Sequence, residues 1–227
     1  MISVIIPALN EEKCIENCLI AIEDQDFDDF EIIVVDGSSK DRTVEIAEKY
    51  ARVIKQRSST IGGARREGAM AASGGTLAFT DADSIADCNW LSRINENMRR
   101  YDLSVGPVYF YENNFGAAVV QLWRRMHSIE RLFGFYRILG PNMGIKRDVY
   151  MNVEGHGDIS LLEDYDFSNK VAKGRIRSKY DKKQIVYTSA RRMKKLLPYI
   201  WLYVYGHYHY AFSQDLRKLK HYPRTEE

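Results

Sequence analysis

Three apolar runs without polar alternation constrain this chain more than any other feature: Ser3-Val-Ile-Ile-Pro7, Glu31-Ile-Ile-Val-Val-Asp36 and Thr76-Leu-Ala-Phe-Thr80. A strand with one face in water alternates apolar and polar residues, whereas a continuous run belongs to a strand covered on both faces. The segments between them carry helical signals. Ile15, Leu19 and Ile22 line one side of Glu11 to Gln25, Thr43 to Tyr50 reads as a short helix, and Ile61 to Ala72 as a longer one stopped by Ser73-Gly-Gly75. Arg52 to Lys55 is a short third strand, and beyond Thr80 come a helix from Asn89 to Arg100 and a strand from Leu103 to Tyr109. The alternation predicts an α/β fold with a mostly parallel central sheet flanked by helices.

In such sheets ligands bind outside the carboxyl ends of the strands. Three polar clusters fall there: Ala8-Leu-Asn-Glu-Glu12, Asp36-Gly-Ser-Ser39 and Asp81-Ala-Asp83. Asp81 and Asp83 repel each other at a strand end unless a cation lies between them. Mg2+ or Mn2+, which bind oxygen and keep positions open for phosphates, meet that need. Taken alone, Asp-Ala-Asp-Ser84 reads as well as a turn with a helix cap; three polar clusters on one edge favour the ligand reading. No G-x-G-x-x-G follows the first strand and no G-x-x-x-x-G-K-[ST] occurs, which argues against dinucleotide-binding and P-loop geometries.

With 227 residues, 45% of them hydrophobic and 28% charged, the chain suffices for one large domain with an appendage. The expected division is a main domain over 1–192, in halves at 1–110 and 111–192, and an aromatic-rich C-terminal helix and basic tail over 193–227. A net charge of +2 gives no argument for a nucleic-acid partner. Cys14, Cys18 and Cys88 cannot form a closed disulfide set, and no leader-like run precedes Ile2, which predicts a reducing, cytoplasmic setting. Cys14 and Cys18, four residues apart with no further ligand at metal spacing, read as packing residues.

Six motifs in order resemble the family 2 glycosyltransferases, inverting enzymes of the GT-A fold. They are Ser3-Val-Ile-Ile-Pro-Ala-Leu-Asn-Glu11, Glu31 to Thr43, Gly62-Gly-Ala-Arg-Arg-Glu-Gly-Ala69, Thr80-Asp-Ala-Asp83, Leu139-Gly-Pro-Asn-Met-Gly144 and Leu162-Glu-Asp-Tyr-Asp-Phe167. The resemblance covers about residues 1 to 190. It implies that Pro7, Ala8, Asn10, Glu11, Glu12, Asp36, Ser38, Gly63, Arg65 and Asp81 serve the nucleotide, with Asp36 accepting a hydrogen bond from a uracil base. It implies that Asp83, with or without Asp81, holds the divalent metal (Mg2+ or Mn2+) against the diphosphate, and that Asp164 is the catalytic base. The chemistry agrees: negative charge grows on a departing diphosphate and needs a cation, while on the opposite face an acceptor hydroxyl must lose its proton to a carboxylate.

Spacing alone does not pick the base within Glu163-Asp-Tyr-Asp166. On a helix Glu163 and Asp166 share a side and Asp164 points elsewhere; the acids also read as complements of a helix dipole. Asn142, Met143, Glu163, Arg191 and Arg192 are assigned to the acceptor or the diphosphate. Arg191 and Arg192 follow a strand from Gln184 to Thr188 and suit forked diphosphate binding or a plain basic turn. Asn113 to Tyr136 reads as a helix with Ala117, Val120, Leu122, Trp123, Met126, Ile129 and Phe133 apolar and Arg124, Arg125 and Arg131 interleaved. His156, in Glu154-Gly-His-Gly-Asp158, reads as a solvated loop histidine.

The uncharged, aromatic stretch from Leu196 to Phe212 lies between Arg191, Arg192, Lys194 and Lys195 and, beyond it, Arg217, Lys218 and Lys220. Pro198, Gly206 and two histidines argue against a spanning helix, leaving packing on the domain, a homodimer contact, or peripheral contact with the cytoplasmic membrane face. The expected function is metal-dependent, inverting transfer of a sugar from a nucleotide-sugar donor, UDP-linked by the Asp36 reading, to a hydroxyl or phosphate acceptor, lipid-linked or a growing glycan. The rivals are a glycosyltransferase-like binding protein without turnover and a phosphatase of the haloacid dehalogenase type. The latter would want its Asp-x-Asp on the first strand.

Overall fold

The computed structural model describes residues 1–112, 114–126, 138–191, 193 and 196–210. Along the chain run β1 (Ile2–Ala8), α1 (Ile15–Glu23), β2 (Phe30–Asp36), α2 (Thr43–Ala47), β3 (Arg52–Lys55), α3 (Ile61–Ala71), β4 (Thr76–Phe79), β5 (Ser84–Ala86) and α4 (Trp90–Met98). There follow β6 (Leu103–Val105), β7 (Val108–Phe110), α5 (Phe115–Met126), β8 (Met143–Lys146), α6 (Arg147–Asn152), α7 (Glu163–Lys173), β9 (Ser178–Tyr180), β10 (Val186–Thr188) and α8 (Leu196–Tyr208).

The main sheet has the order β3-β2-β1-β4-β8-β6-β9. The first four of these strands are mutually parallel, and β8 runs antiparallel between β4 and β6. The unalternated runs are covered on both faces, as their composition requires. Val4 and Ile6 of β1 pack with Ile15, Leu19, Trp90 and Leu91 on one side, while Ile5, Ile33 and Val35 pack with Ala64, Tyr150 and Phe167 on the other. Each such fully buried aliphatic side chain contributes about 1.5–3 kcal/mol.

Register places the polar clusters together. Ala8 lies opposite Asp36, and Ile5 opposite Phe79, so the chain leaving β4 climbs beside Pro7 and Ala8 and delivers Asp81 and Asp83 at the same edge. A smaller sheet, β5-β10-β7, stands next to it.

One expected strand is divided. Leu103 to Tyr109 breaks into β6 and β7, which belong to different sheets. Gly106 and Pro107 make the break: a Cβ on Gly106 would lie 1.9 Å from the Gln184 carbonyl oxygen, and Pro107 has no N–H for a ladder. The expected helix over Asn113 to Tyr136 is present as α5; Ile129, Arg131 and Phe133 lie outside the described residues.

Candidate active site

The sheet edge is first shaped by two residues in left-handed backbone, Asn10 (φ 53°) and Ser38 (φ 71°). Asn10 N–H donates to Ser39 Oγ at 2.9 Å, and Asn10 Oδ1 accepts from Lys40 N–H at 2.9 Å, so the loops after β1 and β2 are stitched together. The Asp36 carboxylate accepts from the N–H groups of Ser38 and Ser39 at 3.0–3.2 Å, folding its own turn. Glu12 Oε2 accepts from Arg42 N–H at 3.1 Å, and Glu12 N–H donates to Asp41 at 3.1 Å. Pro7 and Ala8 form the end of β1 directly beneath this platform.

Two arginines divide the carboxylates between them. Arg65, on α3 and only 1% exposed, reaches Asp81 Oδ1 at 2.8 Å with Nη2, and with Nη1 reaches Glu163 Oε1 at 2.8 Å and Asp164 Oδ1 at 3.3 Å. Close approach depends on Gly140, where a Cβ would stand 2.0 Å from the Arg65 guanidinium. Gly140 N–H in turn donates to Asp164 Oδ2 at 2.7 Å. Burial and the neighbouring Asp164 charge push the Glu163 carboxyl up. Burial acts on Asp164 in the same direction and is the largest single influence, but the Arg65 guanidinium, His156 and the Gly140 N–H together outweigh it and hold this carboxyl below its ordinary range.

Arg191, just beyond β10, pairs with Glu11 and lies 3.5 Å from Asp83 Oδ2. Asp83 Oδ1 also accepts from Thr188 Oγ1 at 3.3 Å, and its carbonyl from Ser189 N–H at 3.2 Å. The buried Glu11 Oε2 has no hydrogen-bond partner among the described residues. Glu11 and Asp83 thus form a hard, all-oxygen anionic corner with an unsatisfied acceptor. That corner fits a divalent cation of the Mg2+ or Mn2+ type, which takes one or two protein carboxylates and completes its shell with phosphate and water. Among the described residues no group of three or more His, Cys, Asp or Glu side chains is placed to hold a metal by itself.

Several sequence expectations change. Arg65 does not extend into a nucleotide pocket; it is the buried counterion of three acids. Gly63 is not at a ligand surface either: its N–H caps α3 on Thr60 Oγ1 at 3.0 Å, and a Cβ there would meet Ser58 Oγ at 2.2 Å. Asn142 and Met143 are fully buried. Asn142 Oδ1 accepts from Trp90 Nε1 and Gln184 Nε2, and its Nδ2 donates to the carbonyls of Pro107 and Gln184, so it ties the two sheets beneath the site. Glu163 and Asp164, not Glu163 and Asp166, share a partner. The left-handed Leu162 starts α7 so that its first two residues face Arg65, while Asp166 is turned to Lys170 and Tyr210. Arg192 lies outside the described residues.

His156 is not solvated. It is fully buried, stacked on Phe167 with ring centroids 4.5 Å apart, and its Nε2 lies 3.8 Å from Asp164 Oδ1. Burial holds its imidazole below the ordinary pKa. The bracketing glycines suggested a mobile loop. The available signal was the run of aromatic residues Tyr150 and Phe167 on either side in sequence, but nothing local announces that they close over the ring. Cys18 is buried as expected, and burial pushes its thiol up, while Cys88 is exposed. The C-terminal aromatic stretch packs on the helix that bears Asp164: Gly206 seats against Leu161 and Leu162, and Tyr210 Oη donates to Asp166 at 3.0 Å. Trp201 and Val204 remain exposed, and no helix among the described residues is long and apolar enough to cross a membrane.

Comparison with known proteins agrees with this architecture. Residues 3–153 match the model of glycosyl transferase family 2, and the chain belongs to that family. EpsH of Bacillus subtilis (strain 168), named as a glycosyltransferase, is 36% identical over 200 residues, covering 74% of this chain and 54% of EpsH. The glycosyltransferase EpsJ of the same organism is 33% identical over 120 residues, covering 50% of this chain and 35% of EpsJ. The matches therefore span between a third and about half of these relatives' lengths. Among solved structures, the mannosyltransferase PcManGT from Pyrobaculum calidifontis in complex with GDP-Man and Mn2+ shares the fold with a TM-score of 0.71 at 17% identity, covering 93% of this chain and 64% of that one. TarS 1–349 of S. aureus in complex with UDP-GlcNAc gives 0.67 at 20% identity, covering 86% and 60%. The chain is thus a family 2 member with the GT-A fold of these solved structures, built on a large, mostly parallel sheet as expected.

Proposed function

We propose that the chain performs metal-dependent, inverting transfer of a sugar from a nucleoside-diphosphate donor to a hydroxyl or phosphate acceptor, with uridine as the preferred base. The observation that carries this reading is the separation of two acidic groups at one sheet edge, each with its own arginine: Asp83 with Arg191 and Glu11, and Asp164 with Arg65. Asn10, Glu11, Glu12, Asp36 and Ser38 lie on the joined loops after β1 and β2, against which the nucleoside would lie. Asp83 and Glu11 would hold the divalent cation, with Asp81 behind them tied to Arg65, and the cation would neutralise the charge that grows on the departing diphosphate. Arg191 adds forked donors to the same charge.

On the other face Asp164 accepts the acceptor's O–H proton as the acceptor oxygen bonds to C1 and the bond from C1 to the diphosphate oxygen breaks. Attack opposite the leaving group inverts the anomeric centre. In the resting state Arg65 keeps Asp164 ionised, as a base must be, and Glu163 shares the same counterion. The GDP-Man bound to one structural neighbour and the UDP-GlcNAc bound to another support the donor class, since both are nucleotide sugars.

The test is thermal shift against UDP, TDP and GDP with and without Mn2+. Binding at a hundredfold excess over Kd stabilises by about 2.7 kcal/mol, so the donor nucleotide should raise Tm visibly, with UDP plus Mn2+ the largest effect. Asp83→Ala should abolish the Mn2+-dependent part. Absence of a shift with every nucleotide would overturn the donor assignment.

A further inference from the structure

We propose that Tyr150 and His156 form a buried positioning relay that fixes the carboxylate of Asp164 by aiming the His156 Nε2–H at its Oδ1. The inference rests on the assignment of Asp164 as base. Tyr150 Oη accepts the backbone N–H of His156 at 3.1 Å and lies 2.9 Å from His156 Nδ1. If Nδ1 carried the imidazole proton, that hydroxyl would receive two hydrogen bonds and its own proton would have no acceptor among the described residues, an expensive arrangement for a fully buried group. If instead the Tyr150 hydroxyl donates to Nδ1, every group in the pair is used once.

The neutral imidazole then carries its proton on Nε2. Nε2 is buried with no hydrogen-bond partner among the described residues, and Asp164 Oδ1 is the carboxylate oxygen in front of it at 3.8 Å. That gap is long for a hydrogen bond, as contacts of catalytic groups often are before substrate arrives. The ring stacks on Phe167 and meets Phe79 edge-on, contacts that hold its plane.

Asp164 is thereby held from three sides: Gly140 N–H on Oδ2, and Arg65 and His156 on Oδ1. The charged and titratable groups around the imidazole are Arg65 from α3, Asp164 and Lys170 from α7, and Tyr150 from α6; Glu163 shares Arg65 Nη1 with Asp164. His156 is a positioning residue. With its proton on Nε2 it cannot take the acceptor's proton, and its part is to orient the carboxylate and favour its ionised form.

His156→Phe keeps the ring stack and removes the N–H; His156→Gln places an amide N–H near the same point; Tyr150→Phe removes the donor to Nδ1. We expect His156→Phe to lower kcat roughly ten- to hundredfold, the range over which orienting partners of a reactive residue act. Donor KM should stay unchanged and the acid limb of the kcat–pH profile should move to higher pH. His156→Gln should restore the profile toward wild type. Tyr150→Phe should shift it partway, with no further effect when combined with His156→Phe.

Asp164→Asn serves as the reference. If it abolishes transfer while His156→Phe and Tyr150→Phe both keep the wild-type kcat and profile, the relay is wrong and the base assignment stands. If Asp164→Asn transfers at the wild-type rate, both fall. Should His156→Phe not fold, Tyr150→Phe decides, and an unshifted profile in that variant overturns the relay.

Discussion

Arg65 shows what a single residue does here that a motif does not reveal. It lies in the stretch Gly62-Gly-Ala-Arg-Arg that suggested a diphosphate loop, yet it meets Asp81 sixteen residues away and Glu163 and Asp164 some hundred residues away. Removing one side of a buried ionic group strands the other and costs about 3–5 kcal/mol. Arg65→Met should therefore lower Tm by roughly 10 °C, at about 2–4 °C per kcal/mol for a domain of this size. Arg65→Lys should recover only part of this, because one ammonium lacks the fork that reaches Asp81 and Glu163 at once. Differential scanning calorimetry of both variants checks this, and an unchanged Tm in Arg65→Met would contradict the counterion role. The sequence identified the residue type and placed it on a helix. It could not say that the partners would be protein carboxylates, because such contacts are set by tertiary closure and not by local spacing.

At the scale of elements, the parallel half was legible because burial on both faces leaves an unmistakable pattern in β1, β2 and β4. The second half was less so. β6, β7, β9 and β10 are three residues each, too short for periodicity to speak, and β8 enters antiparallel. What holds that half together is partly electrostatic. Asp102, just ahead of β6, accepts from Lys146 of β8 at 2.8 Å and from Arg177, before β9, at 2.9 and 3.0 Å. Arg177 and Lys146 hold its carboxyl down to about 2. A depressed carboxyl pKa stabilises the folded state above the ordinary value near ~3.9, and that stabilisation is lost as pH falls toward 2. Because Arg177 is largely exposed, Asp102→Asn should cost only about 1–2 kcal/mol at neutral pH. Chemical denaturation across pH should show the two proteins converging near pH 2; a difference that persists there would contradict the pairing.

For the whole molecule, the candidate site exists only when distant parts of the chain meet. Glu11, Asp83 and Arg191 make one corner and Arg65, Asp81, Glu163 and Asp164 the other. Asp83 was legible as an acid beyond the end of a buried strand, whereas Asp164, at the start of α7, was singled out by family resemblance alone. The sequence misjudged Asn142, which has every polar atom satisfied inside the protein, and His156, whose glycine neighbours looked like a mobile loop. A polar side chain between glycines reads as solvated until the layer that covers it is known, and a residue placed under the acceptor site reads as facing it until the packing of the two sheets shows the side chain turned inward. The C-terminal helix closes against α7 by Gly206 and Tyr210 and so braces the element that carries Asp164, a connection invisible in a stretch notable mainly for its aromatic content.

The division of labour between the two corners is tested most directly by Asp164→Asn, comparing calorimetric binding of the donor nucleotide with Mn2+ against release of nucleoside diphosphate from the nucleotide sugar. Nucleotide affinity should match wild type, since the metal-holding corner at Asp83 is untouched. Turnover should fall by about 10²- to 10⁴-fold, the contribution of a general base. Wild-type turnover in this variant, or loss of nucleotide binding along with it, would contradict the account.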